Sequence, residues 1–302
     1  MDLPVAQRPH PGGGVDAAGR RQHIYHPQWR LQRDQLKFER VPTIAQTLPA
    51  AREMVRQHLA LDKMPLERAA ATAVRLLDLG YFRIGSDVYV DEHGSFGLTT
   101  LEKRHVRRRN GRLVFSFTGK SGVLRTIEID DLEVIRAVDA MRRRRGGERL
   151  LAYRSGRGWV DMDAGRVNSY LEEVVGDELT AKDFRTWHAT VIAAAALAGS
   201  PEPGNTAASR KRAVRSAVVQ VSQYLGNTPT VARSAYIDPR VIDLYDDGVT
   251  IAAAVRRTYD SPAERQVALE AAVLRMLSES PESGERASRS RDRRPRVLRK
   301  AS

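Results

Sequence analysis

The dipeptide Asn110-Gly111 stands between two strand-like runs, 105–109 and 113–117. A two-residue Asn-Gly loop in that setting is a hairpin signal, because both positions tolerate the positive φ that a tight, twist-matched turn demands. Seven residues later, Thr118-Gly119-Lys120-Ser121-Gly122 forms a second turn signal, and Val123, Arg125, Ile127 and Ile129 alternate after it. Three short antiparallel strands are therefore expected within 105–129, with Lys120 at a hairpin tip. Val88-Tyr89-Val90 reads as a further short strand.

Everything around this segment has helical periodicity. Pro49, Met54, Val55, Leu59 and Leu61 mark a first helix. Pro65 opens a second, with Leu66, Ala69, Ala70, Ala73, Val74, Leu76 and Leu77 on its apolar face and Gly80 as its stop. Further helices are expected at about 131–145, 163–175, 181–198, 209–225, 229–236 and 261–279. Residues 1–22 read as loop, 23–27 as an edge strand ended by Pro27, and 199–205, with Pro201 and Pro203, as loop. The fold class is α+β: a mostly helical body with one small three-stranded antiparallel sheet. At 302 residues the chain can build one large domain or two modest ones.

Charge narrows the partners. The formal net charge is +13, which favours a polyanion, with nucleic acid as the default. Eight of the basic residues lie in 284–302 against two acidic ones, so that stretch is read as a disordered tail able to tether DNA. The chain has no cysteine, which excludes disulfides, zinc fingers and cysteine nucleophiles. It has no GxxxxGK[ST] loop, no HExxH and no acidic pattern suited to two metal ions. The longest apolar run, 191–198, is too short to span a bilayer. Lysine is scarce, seven of 50 basic residues, so each lysine is more informative than usual.

Four residues could carry chemistry: Arg83 after a helix end, Lys120 on its turn, Arg185 near a helix start, and Tyr236. Singly, each has an ordinary reading as a helix cap, an exposed turn lysine or a packing aromatic. Their order and the words around them are more specific. Tyr81-Phe82-Arg83-Ile84-Gly85, then Gly97-Leu98-Thr99-Thr100-Leu101-Glu102-Lys103-Arg104-His105, then Phe117-Thr118-Gly119-Lys120-Ser121-Gly122 follow one another. Lys182-Asp183-Phe184-Arg185-Thr186 and Leu225-Gly226-Asn227-Thr228-Pro229 through Ala235-Tyr236 complete the set. This succession, from about residue 15 to 245, resembles the type IB DNA topoisomerases, specifically their small bacterial and poxvirus-like branch.

The resemblance implies a helical catalytic domain of the topoisomerase IB and tyrosine recombinase type. It implies that Tyr236 attacks a DNA phosphodiester and becomes linked to the 3′-phosphate, that the freed 5′-hydroxyl strand swivels, and that religation follows. Arg83 and Arg185 would clamp the phosphoryl oxygens, a task suited to planar guanidiniums that stay charged at any working pH. Lys120 would protonate the leaving 5′-oxygen, which arginine cannot readily do. Lys182 matches a lysine implicated in proton donation. Asn227 stands where many members carry a histidine, and can donate a hydrogen bond but not titrate. Tyr89, Arg107, Arg108 and Arg109 would contact DNA. Neither ATP, metal nor any other cofactor is expected, because phosphotyrosine stores the bond energy. The closest alternative is a tyrosine recombinase or integrase; a DNA-binding protein with lapsed activity is a second. The expected organisation is a remnant of an N-terminal DNA clamp at 1–40, partly disordered, a catalytic domain at 41–280 and a basic tail at 281–302. The expected setting is double-stranded DNA bound by a monomer in the bacterial cytoplasm, at the nucleoid, away from membranes.

Overall fold

The computed structural model describes residues 12–15, 21–24, 27–87, 90, 94–176, 179–200 and 206–279. Two helices form its centre. Leu66–Gly80 buries Ala69, Ala70, Ala71, Thr72, Ala73, Val74, Leu76, Leu77, Asp78 and Gly80. Ala181–Ala198 is buried from Asp183 through Val191 without a break. Small side chains explain how the first helix can be covered so fully, since interaxial distance depends on the side chains at the contact. Its neighbours are the helices Leu48–Leu59, Leu132–Arg142, Ala164–Val175 and Ala181–Ala198.

The expected meander is present. Val106–Arg109, Arg112–Thr118 and Leu124–Ile129 pair antiparallel in that order. Arg109 faces Arg112 across the first turn, where Asn110 and Gly111 have φ of 48° and 80°. Leu113, Phe115 and Phe117 alternate inward on the middle strand and are buried. Lys120 lies in the turn before the third strand and is exposed.

The helices at 48, 66, 132, 164, 181, 207, 229 and 262 begin within about two residues of their expected starts. Other expectations are corrected. Gly12–Val15 is a strand paired with Arg21–Ile24, not loop, and the edge strand expected at 23–27 starts and ends earlier. Ala152–Ser155 and Gly158–Asp161 form a hairpin that the sequence did not announce, because each strand has only four residues. Two short helices, Pro239–Asp246 and Ala252–Arg256, were also not expected. Leu66, assigned to an apolar face, is 37% exposed. The helix Pro27–Ala45 runs continuously through position 40 and packs on Ala181–Ala198 and Pro262–Ser278. Val88 and Tyr89 lie outside the described residues, as do Pro201 to Asn205 and the basic stretch beyond Glu279. Among the described residues, no helix is long and apolar enough to cross a membrane.

Candidate active site

Arg83 is aimed by the end of the helix Leu66–Gly80. Tyr81 caps that helix in the left-handed region, φ 54°, and turns the chain off the helix axis. Phe82 then enters the face of the sheet, with its ring 5.1 Å from Phe115 and 5.9 Å from Phe117. The backbone that follows is pinned: the N–H groups of Leu98 and Thr99 donate to the carbonyls of Arg83 and Ile84, both at 2.8 Å. Gly97 and Gly85 meet at this crossing, and a Cβ on Gly97 would fall 2.4 Å from the Gly85 Cα. Two of the sequence words, 81–85 and 97–100, are thus one structural unit that fixes Arg83.

Arg185 sits in the first turns of Ala181–Ala198. A capping box starts that helix: Thr180 N–H and Oγ1 both donate to Asp183, at 2.9 and 2.7 Å. Arg40 holds the other Asp183 oxygen at 2.9 Å. Arg185 itself is only 3% exposed. Tyr236 caps the helix Pro229–Ala235 and is half-buried. Its N–H donates to the Ala232 carbonyl at 3.1 Å, its carbonyl accepts from Thr190 Oγ1 at 3.4 Å, and Lys37 Nζ donates to the adjacent Ala235 carbonyl at 2.9 Å. The Arg185 guanidinium carbon lies 5.4 Å from the centre of the Tyr236 ring.

What gathers these groups is the C-terminus of one helix, Ala207–Leu225. The last carbonyls of a helix lack intrahelical partners and carry the negative end of its dipole. Here four consecutive carbonyls are taken by three arginines from three parts of the chain. Arg125 donates to Gln223 and Tyr224 at 3.2 and 2.8 Å. Arg185 donates to Leu225 at 2.7 Å and also to the Tyr81 carbonyl. Arg83 donates to Gly226 at 3.4 Å and to the side-chain oxygen of Asn227. None of the three has a carboxylate hydrogen-bonding to it among the described residues.

The electrostatics follow from this crowding. Burial, then the neighbouring Arg83, lowers the pKa of Arg185 to about 10, while Tyr236 acts the other way. Burial lowers Arg83 and Arg125 as well, and Arg83 adds to the effect on Arg125. Tyr236 shows the reciprocal effect. Burial alone would raise its pKa, but Arg185, a hydrogen bond from it, Arg83 and Lys182 outweigh burial and hold the phenol below its ordinary value. Two buried donors, Arg185 Nε and Asn227 Nδ2, have no acceptor among the described residues. An unpaired buried donor costs on the order of 1–3 kcal/mol, and an anionic oxygen is its natural complement. A phenol primed to ionise beside cations with donors to spare is equipped to attack a phosphodiester.

Of the expected catalytic residues, Arg83, Arg185, Asn227 and Tyr236 are brought together. Lys182 is exposed one turn from Arg185, close enough for its charge to act on Tyr236. Lys120 is exposed, and the preceding Gly119 shares a small pocket with Arg83, Arg125 and Arg185. Tyr89 lies outside the described residues. Arg107, Arg108 and Arg109 are all exposed on their strand, and Arg108 also pairs with Asp139 at 3.1 Å. The basic run 142–145 is not uniformly exposed: Arg144 is 7% exposed and donates to the carbonyls of Met141 and Leu150 at 2.9 and 3.0 Å. The residue that sequence reasoning missed is Arg125. Arg125 stands at an inward position of the alternation 123–129, which the sequence marks as strand but whose carbonyl partners it does not mark.

A family model described as eukaryotic DNA topoisomerase I, catalytic core, matches residues 26–270. The chain is similar to a DNA topoisomerase 1B of Acanthamoeba polyphaga mimivirus, with 24% identity over 252 residues, 78% of this chain and 71% of the viral protein. It is also similar to DNA topoisomerase 1 of Schizosaccharomyces pombe, with 27% identity over 173 residues, 57% of this chain and 20% of the yeast protein.

Proposed function

The chain belongs to the DNA topoisomerase I catalytic-core family, type IB, and from that premise we propose that Tyr236 is its nucleophile, Arg83 and Arg185 its phosphate clamp and Lys120 its proton donor. The family's activity is relaxation of supercoiled DNA through a transient phosphotyrosine. The observation that supports these residue assignments is the collection of three arginines on carbonyls 223–226 beside a phenol with a depressed pKa.

In this reading the Tyr236 oxygen bonds to phosphorus as its proton passes to water. The bond from phosphorus to the 5′-oxygen breaks, and Lys120 supplies that oxygen with a proton. The products are a 3′-phosphotyrosyl link and a 5′-hydroxyl end. Religation is the reverse, with the 5′-hydroxyl displacing tyrosine. Arg83 and Arg185 stabilise the charge on the non-bridging oxygens, and losing one such donor typically costs about 10²–10³ in rate. Asn227 donates from Nδ2 to one of them, and Lys182 supports the ionised phenol. The proposal includes a monomer acting on double-stranded DNA.

The test is trapping on plasmid DNA without ATP or magnesium. Wild-type protein relaxes the plasmid and leaves a covalent 3′ adduct on denaturation. Tyr236→Phe binds DNA with nearly unchanged affinity and forms no adduct. Relaxation retained in Tyr236→Phe would overturn the assignment.

A further inference from the structure

The strand Leu124–Ile129 turns Arg125 inward, opposite Phe117 of the middle strand. Its aliphatic stem lies over the hairpin tip: a Cβ on Gly119 would be 3.0 Å from Arg125 Cγ. Its guanidinium leaves the sheet and binds the carbonyls of Gln223 and Tyr224, at the end of a different element. Gly226 adopts φ 60° at the cap of that helix, and a Cβ there would overlap the Arg125 guanidinium, only 2.2 Å from Nη1. The side chain thus fills the space between the residue before Lys120 and the residue before Asn227.

We propose that Arg125 is a positioning residue that straps the Lys120 hairpin to the helix end presenting Asn227 and, nine residues on, Tyr236; this rests on Lys120 being the proton donor. The physical need is clear in the geometry. Lys120 is exposed on a turn with Ser121 at φ 65° and makes no hydrogen bond among the described residues. Proton transfer requires the donor within hydrogen-bond reach of the leaving oxygen, and small displacements of positioned groups are costly in rate. A hairpin tip with its own freedom would spend much of its time out of reach. Two hydrogen bonds to carbonyls at the negative end of a helix dipole remove that freedom, and only arginine can span two adjacent acceptors in a plane.

The strap predicts a specific chemical signature. A leaving 5′-thiolate needs no proton, so a DNA duplex with sulfur in place of the bridging 5′-oxygen makes proton delivery irrelevant while leaving attack and clamping unchanged. Adduct formation is measured in single turnover on oxygen and sulfur versions of one mapped cleavage site. Arg125→Leu slows the oxygen substrate by about 10–100-fold, within the range that general acid catalysis contributes, and cleaves the sulfur substrate within about threefold of wild type. Arg125→Lys recovers part of the oxygen rate through one carbonyl. Lys120→Ala shows the same rescue with a larger initial defect. Restored sulfur cleavage also demonstrates that the variant is folded.

If Lys120→Ala is rescued by sulfur but Arg125→Leu is equally slow on both substrates, or matches wild type on both, the strap is refuted and the donor stands. If Lys120→Ala is not rescued, the donor assignment falls and the strap falls with it.

Discussion

Arg83 follows Asp78 by only five positions, yet the arginines gathered around the two are held in opposite ways. Around Asp78 every guanidinium meets a carboxylate. Arg52 reaches both Asp78 oxygens at 2.9 and 2.8 Å and both Glu270 oxygens at 2.6 and 2.9 Å. Arg75 joins Asp78 to Asp131 at 2.9 and 3.0 Å, and His188 Nε2 lies 3.1 Å from Asp78. Around Arg83 the partners are neutral carbonyls at a helix end. Burial opposes the charge of Arg52 too, but its carboxylates win and raise its pKa, whereas burial and repulsion lower that of Arg185. The first group has its charge neutralised and ties four helices together. The second keeps its charge unneutralised, as the proposed phosphate clamp requires. His188 belongs to the first group, although it follows Arg185 by only three residues.

The comparison breaks most visibly if its two sides respond alike to deletion. Arg52→Ala leaves Asp78 and Glu270 buried without their main partner, which costs on the order of 3–5 kcal/mol of stability. Its adduct formation, measured below the melting transition, stays within a few-fold of wild type. Arg185→Ala reverses the pattern. Adduct formation falls by about 10²–10³, while the melting temperature shifts less than in Arg52→Ala, because relief of repulsion offsets the lost carbonyl bonds. Thermal melts and single-turnover cleavage on both variants decide the matter. A stable, inactive Arg52→Ala would erase the distinction.

Acid sharpens it further. Burial would raise the pKa of Asp78, but the hydrogen bond with His188 and the charge of Arg52 outweigh burial and hold it far below the usual carboxylate range. A carboxyl with a depressed folded pKa contributes stability that is complete above its unfolded pKa of about 3.9 and is lost as pH falls towards the folded value. Asp78→Asn is therefore less stable than wild type at pH 7, and the gap in melting temperature narrows below about pH 4. A gap that stays constant down to pH 2.5 would mean that the charge of Asp78 contributes nothing.

How far these two regions were legible in the sequence differs for a physical reason. The meander and the long helices follow from local patterns, turn chemistry and apolar period, which act over a few residues. Lys120 at a turn and Arg185 near a helix start were readable in the same way. The Asp78 group was not, because Arg52, Asp78 and Glu270 are brought together across 218 residues and each looks like a surface charge in its own helix. Arg125 was missed for the same reason: its partners are backbone carbonyls about a hundred residues away, and no side-chain pattern marks a carbonyl. The four-residue strands at 152 and 158 were too short for alternation to register. The site words themselves were legible through their resemblance to a family, and the structure adds why two of them, 81–85 and 97–100, must occur together.

The smallest expected effect concerns the exposed member of the site. Of the charges that hold the Tyr236 phenol below its ordinary pKa, Lys182 contributes less than Arg185 or Arg83. Cleavage by wild type rises with pH as the phenol ionises and levels off below the ordinary tyrosine value of about 10. Removing a cation disfavours the phenolate, so Lys182→Ala moves the midpoint upward, and by less than Arg185→Ala does. Because Lys182 is exposed, its influence is screened by ions, so the shift shrinks as salt rises towards 1 M, where the screening length is about 3 Å. Arg185 is buried and Arg83 half-buried, so their effect survives that change better. Adduct formation followed across pH at low and high salt separates the two behaviours. A Lys182→Ala rate lowered by one constant factor at every pH, with no movement of the midpoint, would place that lysine on the DNA or on the leaving oxygen and off the nucleophile.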